Sequence, residues 1–291
     1  MFKGSLVALI TPFQNGGVDE SAFQELVSWQ VGQGTQGLVP CGTTGESPAL
    51  HDNEHGRVIA LCVEAANGKV PVIAGTGTNS TDHTIALTRQ AKAAGADAAL
   101  IVCPYYNKPT QEGLYQHFKA VHDAVDIPIV IYNIPGRTSV DMSNATLARL
   151  AQLPNIVGVK DSTNDLSRVT KLRTEVGEEF SMLSGEDGTA VGFLAQSGDG
   201  CISVTANVAP ALCSEMHEAW QKGDFPAVRR LNERLMPLHE ALFVETSPAP
   251  VKYAASLLGR CTAEVRLPLW ETTPATQEKV RGAMRGAGLL N

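Results

Sequence analysis

The sequence predicts an α/β protein, a (β/α)8 TIM barrel with a C-terminal helical extension, from three observations. Eight short apolar runs rich in Val, Ile and Leu recur along residues 6–205. Each run is followed by a stretch in which apolar residues recur at helical spacing. From about residue 224 the runs stop and only helical spacing continues. We therefore expect a barrel over residues 1–223 and a helical appendage over residues 224–291.

The eight apolar runs do not alternate with polar residues, as expected for parallel strands that are buried on both faces. They end at residues 11, 42, 75, 103, 132, 160, 185 and 205, so successive ends lie 20 to 33 residues apart. Parallel strands connected by helices of this length either close a barrel or wind an open sheet. Eight units without a dinucleotide-binding fingerprint favour the barrel.

The predicted helices each carry one apolar stripe. After the first strand it consists of Phe23, Leu26, Val27 and Val31. After residue 224 a longer stripe predicts one long helix, with residues Val228, Leu231, Leu235, Leu238 and Leu242. An appendage of roughly 65 residues is below the usual size for an independent core. We expect it to pack on the barrel wall or on another subunit.

Composition excludes several classes of protein. Of 291 residues, 43% are apolar and 18% are charged, and the net charge of −7 offers no basic track for nucleic acid. No run of about 18 apolar residues predicts a membrane span. Six cysteines without a C-x-x-C pair give little support to a disulfide framework or a zinc cluster. We expect a cytoplasmic protein with free thiols.

Reactive groups of such a barrel lie at the carboxyl ends of its strands, where the loops converge on one opening. Polar residues are concentrated at these ends in this sequence. They are Gly42-Thr43-Thr44-Gly45-Glu46 after the second strand, Tyr105-Tyr106 after the fourth, Tyr132-Asn133 and Arg137 after the fifth, and Lys160 on the sixth. The chemistry is therefore expected from these residues.

Lys160 is the most informative of them, because it ends a run that is typical of a buried strand. Burial disfavours the ammonium and lowers the lysine pKa, which makes a nucleophilic amine available for a Schiff base with a ketone. The alternative is that Lys160 pairs with Asp161 or points at solvent. Tyr132, one strand away at the same level, favours the catalytic interpretation, since its phenol can donate to a carbonyl and pass protons onward.

The Gly42–Glu46 segment and Arg137 are candidate sites for carboxylates. A Gly-Thr-rich turn between strand and helix can direct backbone N–H groups and hydroxyls at an anion. Such a loop is also often only a turn followed by helix capping. Arg137 can clamp a second carboxylate, although a lone loop arginine more often forms a surface salt bridge. Two carboxylate sites around one lysine would suit two acidic substrates.

Two other patterns are weaker. His51 and His55 lie four residues apart on a predicted helix, but the sequence is not H-E-x-x-H and no third metal ligand is evident, so we expect no metal. Gly75-Thr76-Gly77 resembles part of a phosphate loop but lacks the third glycine and the Gly-Lys-Ser/Thr ending. A tight barrel turn is the simpler interpretation.

The sequence resembles the pyruvate-dependent class I aldolases, the N-acetylneuraminate lyase family. The likeness extends over nearly the whole chain, through Leu9-Ile10-Thr11-Pro12-Phe13, residues 37–46, Tyr132 to Thr138, Val159-Lys160-Asp161-Ser162, Pro250-Val251-Lys252 and Arg266-Leu267-Pro268-Leu269. Within the family, the Thr43-Thr44 pair, Tyr105-Tyr106-Asn107 and Arg137 are similar to the branch that condenses pyruvate with L-aspartate 4-semialdehyde, a step of lysine and diaminopimelate biosynthesis. The sialic acid lyases resemble the same frame but lack that arginine.

This resemblance implies a role for each residue of the site. Lys160 forms the imine with pyruvate, and Thr43 and Thr44 hold its carboxylate. Tyr132, Thr43 and Tyr106 form a proton relay, in which Tyr106 comes from a neighbouring subunit. Arg137 binds the carboxylate of the semialdehyde, and Gly185 and Ile202 line the pyruvate pocket. A homotetramer built from two tight dimers is implied, and no metal or organic cofactor is expected, because the lysine itself is the electron sink.

The resemblance also implies an allosteric site for L-lysine, the end product, at positions Ser47, Asp52, His55, Asn79, His83 and Tyr105. Asp52 stands where sensitive relatives often have histidine, and His83 where they have a glutamate that holds the ligand's ammonium. We therefore expect weak inhibition by L-lysine or none.

Two other functions stay open at this point. One is another pyruvate-dependent 2-keto acid aldolase, similar to N-acetylneuraminate lyase, because such specificity depends on a few pocket contacts. The other is a barrel that has lost catalysis and serves as a binding or structural module. Trapping with pyruvate and borohydride would distinguish an active aldolase from a barrel that has lost catalysis. An assay with aspartate semialdehyde would distinguish the two kinds of aldolase.

Overall fold

The structure, a computed structural model, describes residues 2–291 and contains the eight predicted parallel strands. We label them β1 to β8 in chain order. They are β1 (Gly4–Ala8), β2 (Gly37–Val39), β3 (Ile73–Gly75), β4 (Ala98–Val102), β5 (Ile129–Asn133), β6 (Ile156–Asp161), β7 (Ser181–Ser184) and β8 (Gly200–Ser203).

The strands form one sheet in the order β2-β1-β8-β7-β6-β5-β4-β3. A parallel bridge between Leu38 and Val72 joins the two edge strands. Two hydrogen bonds support this seam, from Leu38 N to Pro71 O and from Gly75 N to Pro40 O, each 2.9 Å. The sheet therefore closes into a barrel, and the predicted fold class is confirmed.

The first two strands are shorter than the sequence predicts, because they end at Ala8 and Val39 rather than at residues 11 and 42. Pro40 has no N–H to continue the ladder after β2. After β1 a side chain replaces the neighbouring strand as hydrogen-bond acceptor, since Asn207 Oδ1 accepts from Ile10 N at 3.0 Å. The chain then forms a small hairpin, Phe13–Gln14 with Gly17–Val18, which the sequence did not predict.

Twelve α-helices accompany the strands, and most follow a strand as predicted. They are α1 (Glu20–Gly32), α2 (Asp52–Ala66), α3 (Thr81–Ala93), α4 (Gln111–Ala124), α5 (Pro135–Thr138), α6 (Asn144–Leu150), α7 (Ser167–Val176), α8 (Ala190–Ala195), α9 (Pro210–Gln221), α10 (Phe225–Ala241), α11 (Ala249–Leu257) and α12 (Pro274–Gly286).

Side-chain caps fix where several helices begin. Asp19, Thr110 and Asp224 accept hydrogen bonds from backbone N–H groups in the first turns of α1, α4 and α10, at 3.0, 3.2 and 3.1 Å. Each cap satisfies a donor that has no partner within the helix. Asp224 lies at the residue where the sequence predicts the appendage to begin.

The C-terminal helices pack on the barrel rather than forming a separate layer. Leu235 of α10, Val251 of α11 and Val280 of α12 belong to one buried cluster with Leu9 and Phe23 of the barrel. This is one of the two packing partners that the sequence allowed. The division of the chain at residues 223 and 224 into two domains stays a prediction.

Two composition-based expectations can be compared with residues 2–291. Over that range, no helix has both the length and the apolar character that crossing a bilayer requires. All six cysteines are free, and five of them are buried.

Candidate active site

A cavity of about 380 Å³ opens at the carboxyl ends of β2 to β5, where the sequence predicts the chemistry. Its lining includes nine of the fourteen predicted site residues: Thr43, Ser47, Asp52, His55, Asn79, His83, Tyr105, Tyr132 and Arg137. Two predicted catalytic residues, Thr43 and Tyr132, therefore share one space with all six predicted allosteric positions. The other five predicted residues do not line it: Lys160, Tyr106, Thr44, Gly185 and Ile202.

Lys160 lies beside Tyr132 in the barrel, as predicted from the chain spacing. The two residues are register partners in the parallel pair of β5 and β6. Lys160 Nζ lies 4.1 Å from the centroid of the Tyr132 ring. The lysine side chain is buried, with 5% of its surface exposed, so it does not point at solvent.

Asp161, the alternative partner of Lys160, interacts with other residues instead. Its Oδ1 accepts hydrogen bonds from Thr163 N at 2.8 Å and from Thr163 Oγ1 at 2.6 Å. Its Oδ2 lies 3.7 Å from Arg168 Nε. The ion pairs found among residues 2–291 do not include Lys160. Lys160 thus packs against an aromatic face and, among the described residues, forms no ion pair with a carboxylate.

Gly185, directly after β7, makes room for this lysine. A Cβ at Gly185 would lie 1.9 Å from Ser162 Oγ and 2.9 Å from Lys160 Cε, both closer than real Cβ atoms approach. The backbone is held there, because Gly185 N donates to Asp161 O at 2.8 Å. Ile202 lies in the barrel interior, in the buried cluster that contains Tyr132.

The Thr43-Thr44 turn is compact. Gly45 N and Ser47 N donate to Gly42 O at 3.1 and 3.3 Å, and Glu46 N donates to Thr43 O at 3.1 Å. Thr43 lines the cavity. Thr44 is buried behind it and is not among the lining residues, which the sequence alone did not distinguish.

Arg137 lies on the short helix α5 that follows β5, and its exposed side chain lines the cavity. Its Nη2 donates to Ser247 O at 3.4 Å, a contact with the C-terminal extension. Arg137 is absent from the ion pairs of the described residues, so the surface salt bridge that the sequence left open does not form.

Tyr106 is separated from Lys160 within one chain. Its side chain is 88% exposed, and its φ of 68° is rare for a residue with a side chain. Tyr105, next to it, lines the cavity instead. A single chain therefore brings together Lys160, Tyr132 and Thr43, but not Tyr106.

The six positions predicted for L-lysine all line the cavity. His83 Nε2 lies 3.3 Å from Asp52 Oδ1, and both side chains are largely exposed. His55 is buried, and its Nε2 donates to Gly75 O at 2.8 Å. Burial lowers the pKa of His55. The lowered pKa favours the neutral imidazole, whose Nε2–H is taken up by the Gly75 carbonyl.

Sequence reasoning missed the residues after Gly185. Glu186 is partly buried near Ser162 and Lys160, and burial raises the pKa of its carboxyl. Asp187 accepts from Val204 N at 2.8 Å and from the Ser203 hydroxyl, which joins the β7 loop to β8. Their position after a strand was a signal, but carboxylates are common in such loops.

A second buried lysine was also missed. Lys252, on α11, is fully buried and forms an ion pair of 2.6 Å with Glu46. In the sequence, Lys252 stands out only as part of the Pro250-Val251-Lys252 motif. A position in a helix does not predict that a side chain is buried, whereas a position in a continuous apolar strand does. Across residues 2–291, His, Cys, Asp and Glu do not gather in groups of three that could hold a metal ion.

Comparisons with known proteins are consistent with this geometry. Residues 1–287 match the model of the "Dihydrodipicolinate synthetase family". The chain is 67% identical to 4-hydroxy-tetrahydrodipicolinate synthase of Rhodospirillum centenum, and the match covers all of both chains.

Two solved structures are also similar. Dihydrodipicolinate synthase (DHDPS) from Acinetobacter baumannii, described as chloride inhibited and complexed with pyruvate, has a TM-score of 0.97 at 46% identity over all of both chains. DHDPS from Cyanidioschyzon merolae with lysine bound has a TM-score of 0.96 at 37% identity over 99% of each chain.

Proposed function

The chain belongs to the dihydrodipicolinate synthetase family, and from this and from the Lys160 site we infer its reaction. It is a lyase that condenses pyruvate with L-aspartate 4-semialdehyde to give 4-hydroxy-tetrahydrodipicolinate, the first committed step towards diaminopimelate and lysine. One observation carries this inference: Lys160 is buried without an ion-pair partner in residues 2–291, and its Nζ lies 4.1 Å from the ring centroid of Tyr132, which lines the cavity.

The chemistry begins at Lys160 Nζ. The neutral amine attacks the ketone carbon of pyruvate, and loss of water from the carbinolamine leaves an imine. The protonated imine accepts the electron pair when a methyl proton leaves, which gives an enamine. The enamine carbon attacks the aldehyde, and the amine of the second substrate then displaces Lys160 and closes the ring.

The Thr43-Thr44 turn and Arg137 each bind the carboxylate of one substrate. Thr43 and Thr44 hold the pyruvate carboxylate with hydroxyl and N–H groups, and Arg137 holds that of the semialdehyde from the cavity wall. The buried position of Thr44 supports a role for its backbone more than for its hydroxyl. Gly185 and Ile202 shape the pyruvate pocket, since Gly185 leaves space beside Lys160 Cε.

Proton transfer runs through Tyr132, Thr43 and the Tyr106 of a neighbouring subunit in a homotetramer built as a dimer of dimers. The exposure of Tyr106 in one chain supports this assignment. Mixing of two inactive variants tests it: Lys160→Ala and Tyr106→Phe subunits should recover activity when they are unfolded and refolded together. Mixtures that stay as inactive as the separate variants would show that Tyr106 serves its own chain.

An amino-acid site at Ser47, Asp52, His55, Asn79, His83 and Tyr105 accompanies the active site. The relative with lysine bound supports the ligand class. L-lysine should inhibit weakly or not at all, because His83 stands in place of the carboxylate that would pair with the ligand's ammonium. Asp52 does not replace that carboxylate, because its Oδ1 lies 3.3 Å from His83 Nε2 and is already paired with it. Loss of a charged partner reduces affinity by roughly 10- to 150-fold. Sub-millimolar inhibition in a steady-state assay would contradict this and would identify Asp52 as the anion.

Borohydride trapping tests the reaction itself. With pyruvate, the protein should gain one reduced pyruvyl group at Lys160, and Lys160→Ala should gain none. An adduct at another lysine would overturn the mechanism. The alternative, an aldolase for another 2-keto acid, is not favoured, because relatives 58–67% identical over the whole chain are 4-hydroxy-tetrahydrodipicolinate synthases. A coupled assay with aspartate semialdehyde completes the test. We place the enzyme in the cytoplasm, and its six free thiols support this placement.

A further inference from the structure

Lys252 and Glu46 form the most deeply buried ion pair among the described residues. Lys252 Nζ lies 2.6 Å from Glu46 Oε1, and the side chains are 0% and 1% exposed. The ammonium also donates to Glu264 O at 2.6 Å and lies 3.9 Å from the Phe13 ring centroid. The pair joins residues 206 positions apart, one on α11 and one in the loop after β2.

Glu46 is the last residue of the Thr43-Thr44 turn, and its backbone is strained. Its φ of 55° lies in the left-handed region, which disfavours residues with a side chain by roughly 1–2 kcal/mol. A residue keeps such a conformation when its surroundings hold it there. Both carboxylate oxygens are held: Oε1 by Lys252 and Oε2 by Arg266 N at 2.9 Å.

The turn is fixed from its other side as well. Thr11 Oγ1 donates to Gly45 O at 2.7 Å, and a Cβ at Gly45 would lie 3.1 Å from Leu9 O. The strand-1 loop and the C-terminal extension therefore hold Gly45 and Glu46 between them. Thr43, three residues before Glu46, lines the cavity.

Stability alone does not account for this pair. A buried ion pair costs so much desolvation that apolar residues of similar size are often as stable or more so. A pair that is buried at this cost is better explained by the geometry that it imposes. The geometry here is that of the turn at which an anion binds.

We propose that Lys252 and Glu46 are positioning residues that hold the Thr43-Thr44 turn in its carboxylate-binding conformation. The C-terminal extension would then set the affinity for the 2-keto acid through one buried contact, without touching it. This inference rests on the proposed function, because it assigns the turn to the pyruvate carboxylate.

The test measures the pyruvate concentration that half-saturates borohydride trapping at Lys160, together with the KM of both substrates. The variants are Lys252→Met, Glu46→Gln and the double variant Glu46→Gln/Lys252→Met, which removes both charges and leaves no unpaired buried ion. Arg173→Met is the matched control. It breaks the ion pair of Arg173 with Asp199, also 2.6 Å and largely buried, which lies away from the turn.

The double variant should fold with a melting temperature close to that of the wild type. Its half-saturating pyruvate concentration should rise at least about tenfold, the low end of what a hydrogen bond to a charged group contributes. Its KM for the semialdehyde should stay within about twofold, because Arg137 is untouched. Glu46→Gln keeps the hydrogen-bonding atoms and should give a smaller rise, and Arg173→Met should give none despite its lower stability.

Unchanged half-saturation in a folded double variant overturns the inference, and so does an equal rise in Arg173→Met. If the double variant does not fold, the comparison of Glu46→Gln with Arg173→Met decides, and equal values overturn the inference. Failure of the wild type to trap pyruvate would instead overturn the proposed function, so the two failures are distinguishable.

Discussion

At the scale of residues, two buried lysines show how the surroundings decide reactivity. Burial lowers the pKa of Lys252, while the Glu46 carboxylate opposes that effect and holds the ammonium. Lys160 is also buried, but its neighbour is the Tyr132 ring rather than a carboxylate. A paired ammonium is a poor nucleophile, because its electron pair is bound to a proton. We therefore expect the imine to form at Lys160.

Arg137→Ala should raise the KM for aspartate semialdehyde far more than that for pyruvate. In the proposed function the arginine contacts only the second substrate, and losing a charge-assisted contact costs roughly 2–3 kcal/mol, on the order of 30- to 150-fold. Steady-state kinetics with each substrate varied in turn measure the difference. Equal effects on both KM values would identify Arg137 as a structural residue that holds the loop through Ser247.

Gly185→Ala should reduce kcat/KM by at least about tenfold, because the new methyl must displace Ser162 or Lys160 and small displacements at a reacting atom cost at least that much. Gly188→Ala, in the same loop, is the control. A Cβ there meets only Met236 Sδ, at 3.9 Å, so its kcat/KM should stay near that of the wild type. Similar losses in both variants would show a general effect on the loop.

At the scale of elements, the C-terminal helices belong to the barrel's packing rather than to a core of their own. The apolar stripe predicted for residues 228–242 is the face that α10 buries, and Leu235 and Leu238 are fully buried in it. The same extension supplies Lys252 and the Ser247 carbonyl that contacts Arg137. The extension that sequence periodicity separates from the barrel therefore contacts two parts of the site, the Thr43-Thr44 turn through Glu46 and the α5 helix through Arg137.

Leu235→Ala should destabilise the protein by about 2–5 kcal/mol, because the cavity left in the shared cluster cannot be refilled. Thermal unfolding should show a melting temperature several degrees lower. Arg230→Ala, at an exposed position of the same helix, should leave the melting temperature unchanged. Equal melting temperatures for the two variants would show that α10 contributes little to the stability of the barrel.

At the scale of the whole molecule, buried histidines make the fold sensitive to acid. Burial lowers the pKa of His117 and of His217 from the ordinary value of 6.5 to about 4. The unfolded chain therefore binds more protons than the folded protein between pH 6.5 and 4. Their contribution to stability is complete above pH 6.5 and is lost as the pH falls through this window.

The melting temperature should thus fall between pH 6.5 and 4, with each of the two histidines contributing on the order of 2–3 kcal/mol by pH 4. His117→Gln keeps an acceptor for the hydrogen bond of 2.9 Å with Thr81 but cannot titrate, so its decline should be shallower. His83→Gln, at a half-exposed position, should decline as the wild type does. Parallel curves for His117→Gln and the wild type would contradict the assignment.

The sequence predicts the eight strands, most of the helices and the pairing of Lys160 with Tyr132, because each of these depends on local periodicity and spacing. Continuous apolar runs specify strands that are buried on both faces, and residues at equal heights on adjacent strands must meet. The barrel and the proximity of Lys160 to Tyr132 therefore follow from the sequence without knowledge of any long-range contact.

Only the tertiary structure decided which side chains meet across the fold. Lys252 and Glu46 are 206 residues apart, and their pairing follows from the need to neutralise a charge where α11 closes over the turn. The burial of Thr44 behind Thr43 and the space that Gly185 leaves for Lys160 depend in the same way on how packed elements approach one another. Local pattern specifies the elements, whereas close packing and desolvation select their contacts.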